Sequence, residues 1–213
     1  MSAPRTNLIL LPGAPIAATR ADAVTTSPDA TAAARAAGVP IHVRLAHPRE
    51  GLLREQLEGL DGPVACVLLA ATAQPQDLRA ADVELRRHEL HRGLDAGSIG
   101  LIPEIGSAAA IERLPQLLAA VDRIASVGLD IEAVAADLGA PDARGDAVQA
   151  PVLARVALAA SATGLPWTVG ALGFSPGDRA RLAARAHALG AAGVYVLAES
   201  EVAGLNALFA AGS

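Results

Sequence analysis

The chain has 213 residues, 52% of them hydrophobic and 18% charged, with a net charge of −5. That length and composition suit one substantial folded core and exclude a disordered chain, while the acidic balance and the lack of basic runs exclude nucleic acid as an expected partner. All 17 basic residues are Arg, so a Schiff-base aldolase, a lysine-anchored pyridoxal phosphate enzyme and a P-loop kinase are excluded as well.

In chain order, the opening MSAPRT shows no signal-peptide pattern, and it leads into an apolar strand expected over 7–11. A helix over 15–20 and a second strand over 23–26 follow. Next come a helix over 28–37, a strand over 41–45 carrying His42 and Arg44, and a helix over 49–59. The run over 65–70, Ala-Cys-Val-Leu-Leu-Ala, has no polar residue and reads as a strand buried on both faces. It holds the sole cysteine, Cys66, which has no partner for an internal disulfide and fits a reducing, cytoplasmic setting. A long helix is expected over 76–93, then a strand over 99–105 and a helix over 107–122. The sixth strand is placed over 124–130 and is followed by a polar loop over 140–150. A helix over 147–163, a strand over 166–170, a helix over 176–189, a strand over 193–197 and a helix over 200–211 complete the pass. No run approaches the length of a membrane span. Eight strands alternating with eight helices predict an α/β fold, one closed (β/α)8 barrel forming one domain over residues 1–213. The rival, an open doubly wound sheet, would want a Gly-rich phosphate loop after an early strand. Pro12-Gly13-Ala14-Pro15 does not supply one.

The segment from Ser98 to Gly139 carries a resemblance to a known family. Leu101-Ile102-Pro103-Glu104-Ile105-Gly106-Ser107-Ala108 is similar to a strand ending in Ile-Glu-Thr-Ala. Asp130-Ile131-Glu132-Ala133, before Ala136-Asp137-Leu138-Gly139, is similar to Gly-Ala-Glu-Asp before an Ala-Asp-Leu-Gly helix. Both belong to the citrate lyase beta-subunit family, the HpcH/HpaI aldolases and CoA-ester lyases. The resemblance extends weakly over most of the chain, from Asn7–Gly13 to the strand around Tyr195. It implies a (β/α)8 barrel, an aldolase-type carbon–carbon lyase activity on CoA thioesters or 2-oxo acids, and Mg2+. In that family the Glu of the first motif and the Asp of the second hold the metal. Here Gly106 and Ala133 stand in their places, so no metal is expected at the family positions and no cofactor is expected. The acidic motif of the second strand is reduced to Asp29 in Ser27-Pro28-Asp29-Ala30, and a Lys after the fourth strand is replaced by Ala70. Arg44 matches the family's third-strand Arg, which implies a contact with a substrate carboxylate or CoA.

The polar residues left at strand ends supply the candidates. Arg44 and Glu104 are the expected catalytic pair, and Arg44, Ser107, Asp130 and Glu132 the expected substrate contacts. Glu104 and Asp130, with Glu132 alternating on the same strand, form a displaced carboxylate group able to rebuild a metal or acid–base site; alternatively Glu104 is tied to Arg44 as a structural ion pair. His42 and His47 flank Arg44 and read as packed or surface residues rather than a general base, and His88, His91 and His187 as surface. Trp167, Tyr195 and Cys66 read as core. Two functions stay open. One is a Mg2+-dependent lyase. The other is a pseudoenzyme that binds a small carboxylic acid or CoA thioester, as a homo-oligomer or as a hetero-oligomer with an active homologue.

Overall fold

The computed structural model describes residues 4–10 and 18–210. Its centre is a closed barrel of eight parallel strands in sequence order. These are β1 (Thr6–Ile9), β2 (Ala23–Thr26), β3 (Ile41–Leu45), β4 (Cys66–Leu69), β5 (Gly100–Ile105), β6 (Val127–Asp130), β7 (Trp167–Gly170) and β8 (Gly193–Val196). The ring closes where β1 pairs with both β2 and β8, Asn7 standing opposite Ala23 on one side and Tyr195 on the other. Each strand lies within or close to its expected span. Leu11, expected to end the first strand, is outside the described residues.

Alternation along the strands sorts side chains between two apolar clusters. Leu8, Val24, Val43, Val67, Leu101, Leu129, Val169 and Val194 face outward into the large core beneath the helices. Cys66, Leu68, Ile102 and Tyr195, with Ile9 against them, fill the barrel interior. Tyr195 occupies the centre because two facing positions have no side chain. A Cβ on Gly128 would lie 3.2 Å from the Tyr195 hydroxyl, and one on Gly170 would lie 3.2 Å from its ring.

The surrounding helices begin and end on local signals. They are α1 (Thr31–Ala34), α2 (Leu53–Glu58), α3 (Pro75–Arg92), α4 (Ala108–Glu112), α5 (Leu114–Leu118), α6 (Ile131–Asp137), α7 (Asp146–Thr163), α8 (Pro176–Ala188) and α9 (Glu199–Ala210). Pro75 starts α3 inside a Gln74/Asp77 capping box, and Gly93 at φ 65° stops it. Ser175 caps α8 by accepting from the Asp178 N–H, with Pro176 at the first helical position.

Several helices depart from expectation. The one placed over 107–122 is two short helices, interrupted at Arg113 just before Pro115, which settles into the first turn of α5. The stretch 28–37 is a short α1 flanked by 3-10 turns at Pro28–Ala30 and Arg35–Ala37. α6 is an additional element. The helix expected over 15–20 falls mainly outside the described residues, and 18–20 is not helical. No helix among the described residues is long and apolar enough to cross a membrane.

Candidate functional site

In a parallel α/β barrel the strand carboxyl ends open onto one face, where loops rather than packing decide the residue type. A cavity of about 300 Å³ lies there. Ile9, Leu10, Leu68, Leu172 and Tyr195 form its apolar wall, Arg44, Glu104 and Asp130 supply its charged groups, and Thr25, Thr26 and Ser27 also line it.

Arg44 and Glu104 come from inward positions of β3 and β5 and meet across the mouth. The Arg44 Nε donates to Glu104 Oε1 at 3.0 Å and its Nη2 to Oε2 at 2.6 Å. The contact is bidentate along one edge of the guanidinium, leaving the Nη1–Nη2 edge for another anion. The Arg44 side chain is 52% exposed and the Glu104 side chain 16%. The bond to Glu104 raises the Arg44 pKa, so the guanidinium stays charged. Of the two readings of Glu104, the geometry contains the ion pair.

Asp130 ends β6 and caps α6. Its Oδ1 accepts the N–H of Glu132 at 3.1 Å and of Ala133 at 3.0 Å. Burial lifts its carboxyl above the ordinary range; the Ala133 N–H pulls it down, and the charges of Glu104 and Glu132 push it up. The capping turn also corrects the expectation that Asp130 and Glu132 alternate along one strand. The strand stops at Asp130 because its side chain satisfies the first helical N–H groups. Glu132 is therefore in the first turn of α6, where its Oε2 accepts the Gly173 N–H at 2.7 Å. Glu132 is not part of the cavity wall. Neither is Ser107, expected as a substrate contact, whose Oγ caps α4 by accepting the Ala110 N–H at 3.2 Å. Thus Arg44, Glu104 and Asp130 meet in one cavity, while Ser107 and Glu132 serve loop and helix ends.

The two positions that match the family's metal ligands face each other. A Cβ built on Gly106 would lie 3.0 Å from the Ala133 Cβ. Neither residue offers a side-chain oxygen. Both Glu104 oxygens are bound to Arg44, and Asp130 Oδ1 is committed to the α6 cap. Among the described residues no three His, Cys, Asp or Glu side chains gather into a group able to hold a metal. Mg2+ takes several oxygen ligands, commonly including one or two carboxylates, and the side chains here do not fit it.

Other candidates have structural partners. His42 is buried and its Nδ1 accepts from the Asn7 Nδ2 at 3.0 Å, while the Thr25 hydroxyl donates to the Asn7 side-chain Oδ1 at 2.8 Å. That polar chain lies inside the barrel. His47 caps the turn at Pro48–Glu50 and lies 3.3 Å from Asp77. Burial raises the Cys66 thiol to about 11, so it is inert as a nucleophile at neutral pH. Tyr195 was readable as core, but its second role as part of the cavity wall was not. The signal was its place on an inward register beside glycines on β6 and β7. Thr26 Oγ1 and Ser27 Oγ also stand out, because both are buried with no hydrogen-bond partner among the described residues.

Similar barrels are found among solved structures. RipC from Yersinia pestis superposes with a TM-score of 0.74 at 19% identity, over 96% of this chain and 94% of that one. Haloferax volcanii malate synthase, solved with glyoxylate, gives 0.76 at 16% identity, over 96% of this chain and 74% of that one. The citrate lyase beta subunit of M. tuberculosis, complexed with oxaloacetate and magnesium, gives 0.65 at 18% identity, over 96% of both chains. At these identities the likeness establishes the barrel fold. No curated protein matches the chain. The HpcH/HpaI aldolase/citrate lyase family model matches residues 8–197, nearly the whole barrel, and the chain therefore belongs to that family.

Proposed function

We propose that this chain is a catalytically degenerate member of its family, which binds a small carboxylic acid at the barrel mouth without a divalent cation. Proteins of similar fold have been solved with oxaloacetate and magnesium, or with magnesium, acetoacetate and coenzyme A; a short acid is the ligand class carried over from them. The observation that carries the reading is the facing pair Gly106 and Ala133, which leaves the family's two metal-ligand positions without an oxygen. Arg44 takes over the anchoring role. Glu104 holds one edge of its guanidinium, so the other edge is oriented before a ligand arrives, and less entropy is lost on binding. The chain then acts as a binding subunit in the cytoplasm, as a homo-oligomer or beside an active homologue.

A carbon–carbon lyase of this type must stabilise an enolate. Without a cation at that oxygen the barrier rises by several kcal/mol, about three powers of ten or more in rate. The test has two arms. Purified chain with Mg2+ and citryl-CoA or malyl-CoA is expected to show no enzyme-like turnover. In EDTA it is expected to bind at least one short carboxylate by calorimetry. Turnover in the first arm, or stoichiometric Mg2+ binding at micromolar affinity, overturns the degenerate reading.

A further inference from the structure

Charge is unevenly arranged in the mouth. Arg44 is the one cation among the cavity-lining residues, against two carboxylates, Glu104 and Asp130. Glu104 is neutralised by Arg44, whereas Asp130 has no ion-pair partner among the described residues; its Oδ1 holds only backbone N–H groups. The rest of the wall is Leu68, Leu172, Ile9, Leu10 and the Tyr195 ring.

We infer that the ligand is a small monocarboxylate with a branched apolar body of about four to six carbons, and that dicarboxylates are discriminated against. This rests on the acid-binding reading above. The carboxylate takes the free Nη1–Nη2 edge of Arg44. The apolar body then packs on the leucines. A second carboxylate on that body would meet either leucine side chains, where it loses hydration, or Asp130, where it meets like charge.

The experiment is calorimetry on the whole chain in EDTA at neutral pH with three probes: 4-methyl-2-oxopentanoate, oxaloacetate and isobutylamine. The branched monocarboxylate is expected to bind at least about tenfold more tightly than oxaloacetate. Asp130→Asn keeps a good N-cap and so keeps the fold; it is expected to shrink that preference to about threefold or less. Oxaloacetate binding as well as the branched acid, or an unchanged preference in Asp130→Asn, overturns the monocarboxylate inference and leaves acid binding intact. Failure of both acids to bind, or tighter binding of isobutylamine, overturns acid binding itself.

Discussion

Restoring the family's two carboxylates, Gly106→Glu with Ala133→Asp, should convert this barrel into a metal-binding one at a measurable cost. A Cβ at position 106 would sit 3.0 Å from that of Ala133, so the neighbours must give by a few tenths of an ångström, at about 1 kcal/mol. The two new carboxylates, about 5 Å apart at an effective dielectric of about 20, repel by about 3 kcal/mol. The metal-free double variant is therefore expected to be about 4 kcal/mol less stable than wild type, or about 8–16 °C lower in Tm for a chain of this size. Mg2+ binds only the folded form, and at a hundred times its Kd it returns about 2.7 kcal/mol, a rise of about 5–11 °C. Thermal melts in EDTA and in a Mg2+ series, with calorimetry for stoichiometry, read both effects. Wild type should show no Mg2+-dependent shift. A double variant that folds and melts identically in EDTA and Mg2+ would show that these two positions do not form the family's metal site, and the match of Gly106 and Ala133 to the family's ligand positions would fall with it.

Two further predictions concern stability. Burial drives the His42 imidazole down to about 4 from an ordinary value of 6.5. The folded state thus binds fewer protons than the unfolded one, and stability is lost as pH falls through that window, by up to about 3 kcal/mol; urea unfolding at pH 7 and pH 4.5 should show the loss, and His42→Gln should remove most of it. At the opposite end of the barrel, Arg123 donates to Glu89 at 2.7 and 2.9 Å and to Asp82 at 2.6 Å, all largely buried. Burial pushes the Glu89 carboxyl up, but the Arg123 bonds and the Gly97 and Ile99 N–H groups hold it below the usual range. Its contribution is therefore present at neutral pH and is lost as pH falls through the folded value. Arg123→Met should cost about 3–5 kcal/mol at pH 7 by stranding a buried charge, and the gap to wild type should narrow in acid as Glu89 protonates. A cost below about 1 kcal/mol in urea unfolding would contradict this account.

What could be read from the residues alone was the barrel and its lineage. Eight apolar runs separated by helical patterns specify eight strands buried on both faces, and the Ile105-Gly106-Ser107-Ala108 and Glu132-Ala133 motifs placed the chain in its family and marked both missing ligands. Local patterns carry this information because strand period, caps and turns depend on near neighbours. The residues at the site were only half legible. Glu104 had two readings, and the choice depended on whether β3 brings Arg44 within bonding distance, a contact across 60 positions in sequence. Glu132 looked like a strand residue until Asp130 was seen to cap α6 and turn the chain. Tyr195 looked like filler, yet it forms part of the cavity wall because Gly128 and Gly170, on other strands, make room for it. Closure of the ring decides these matters: it sets side chains from distant strands in one mouth, and which of them pair, cap or stay free follows from angstrom-scale proximity that no local spacing encodes.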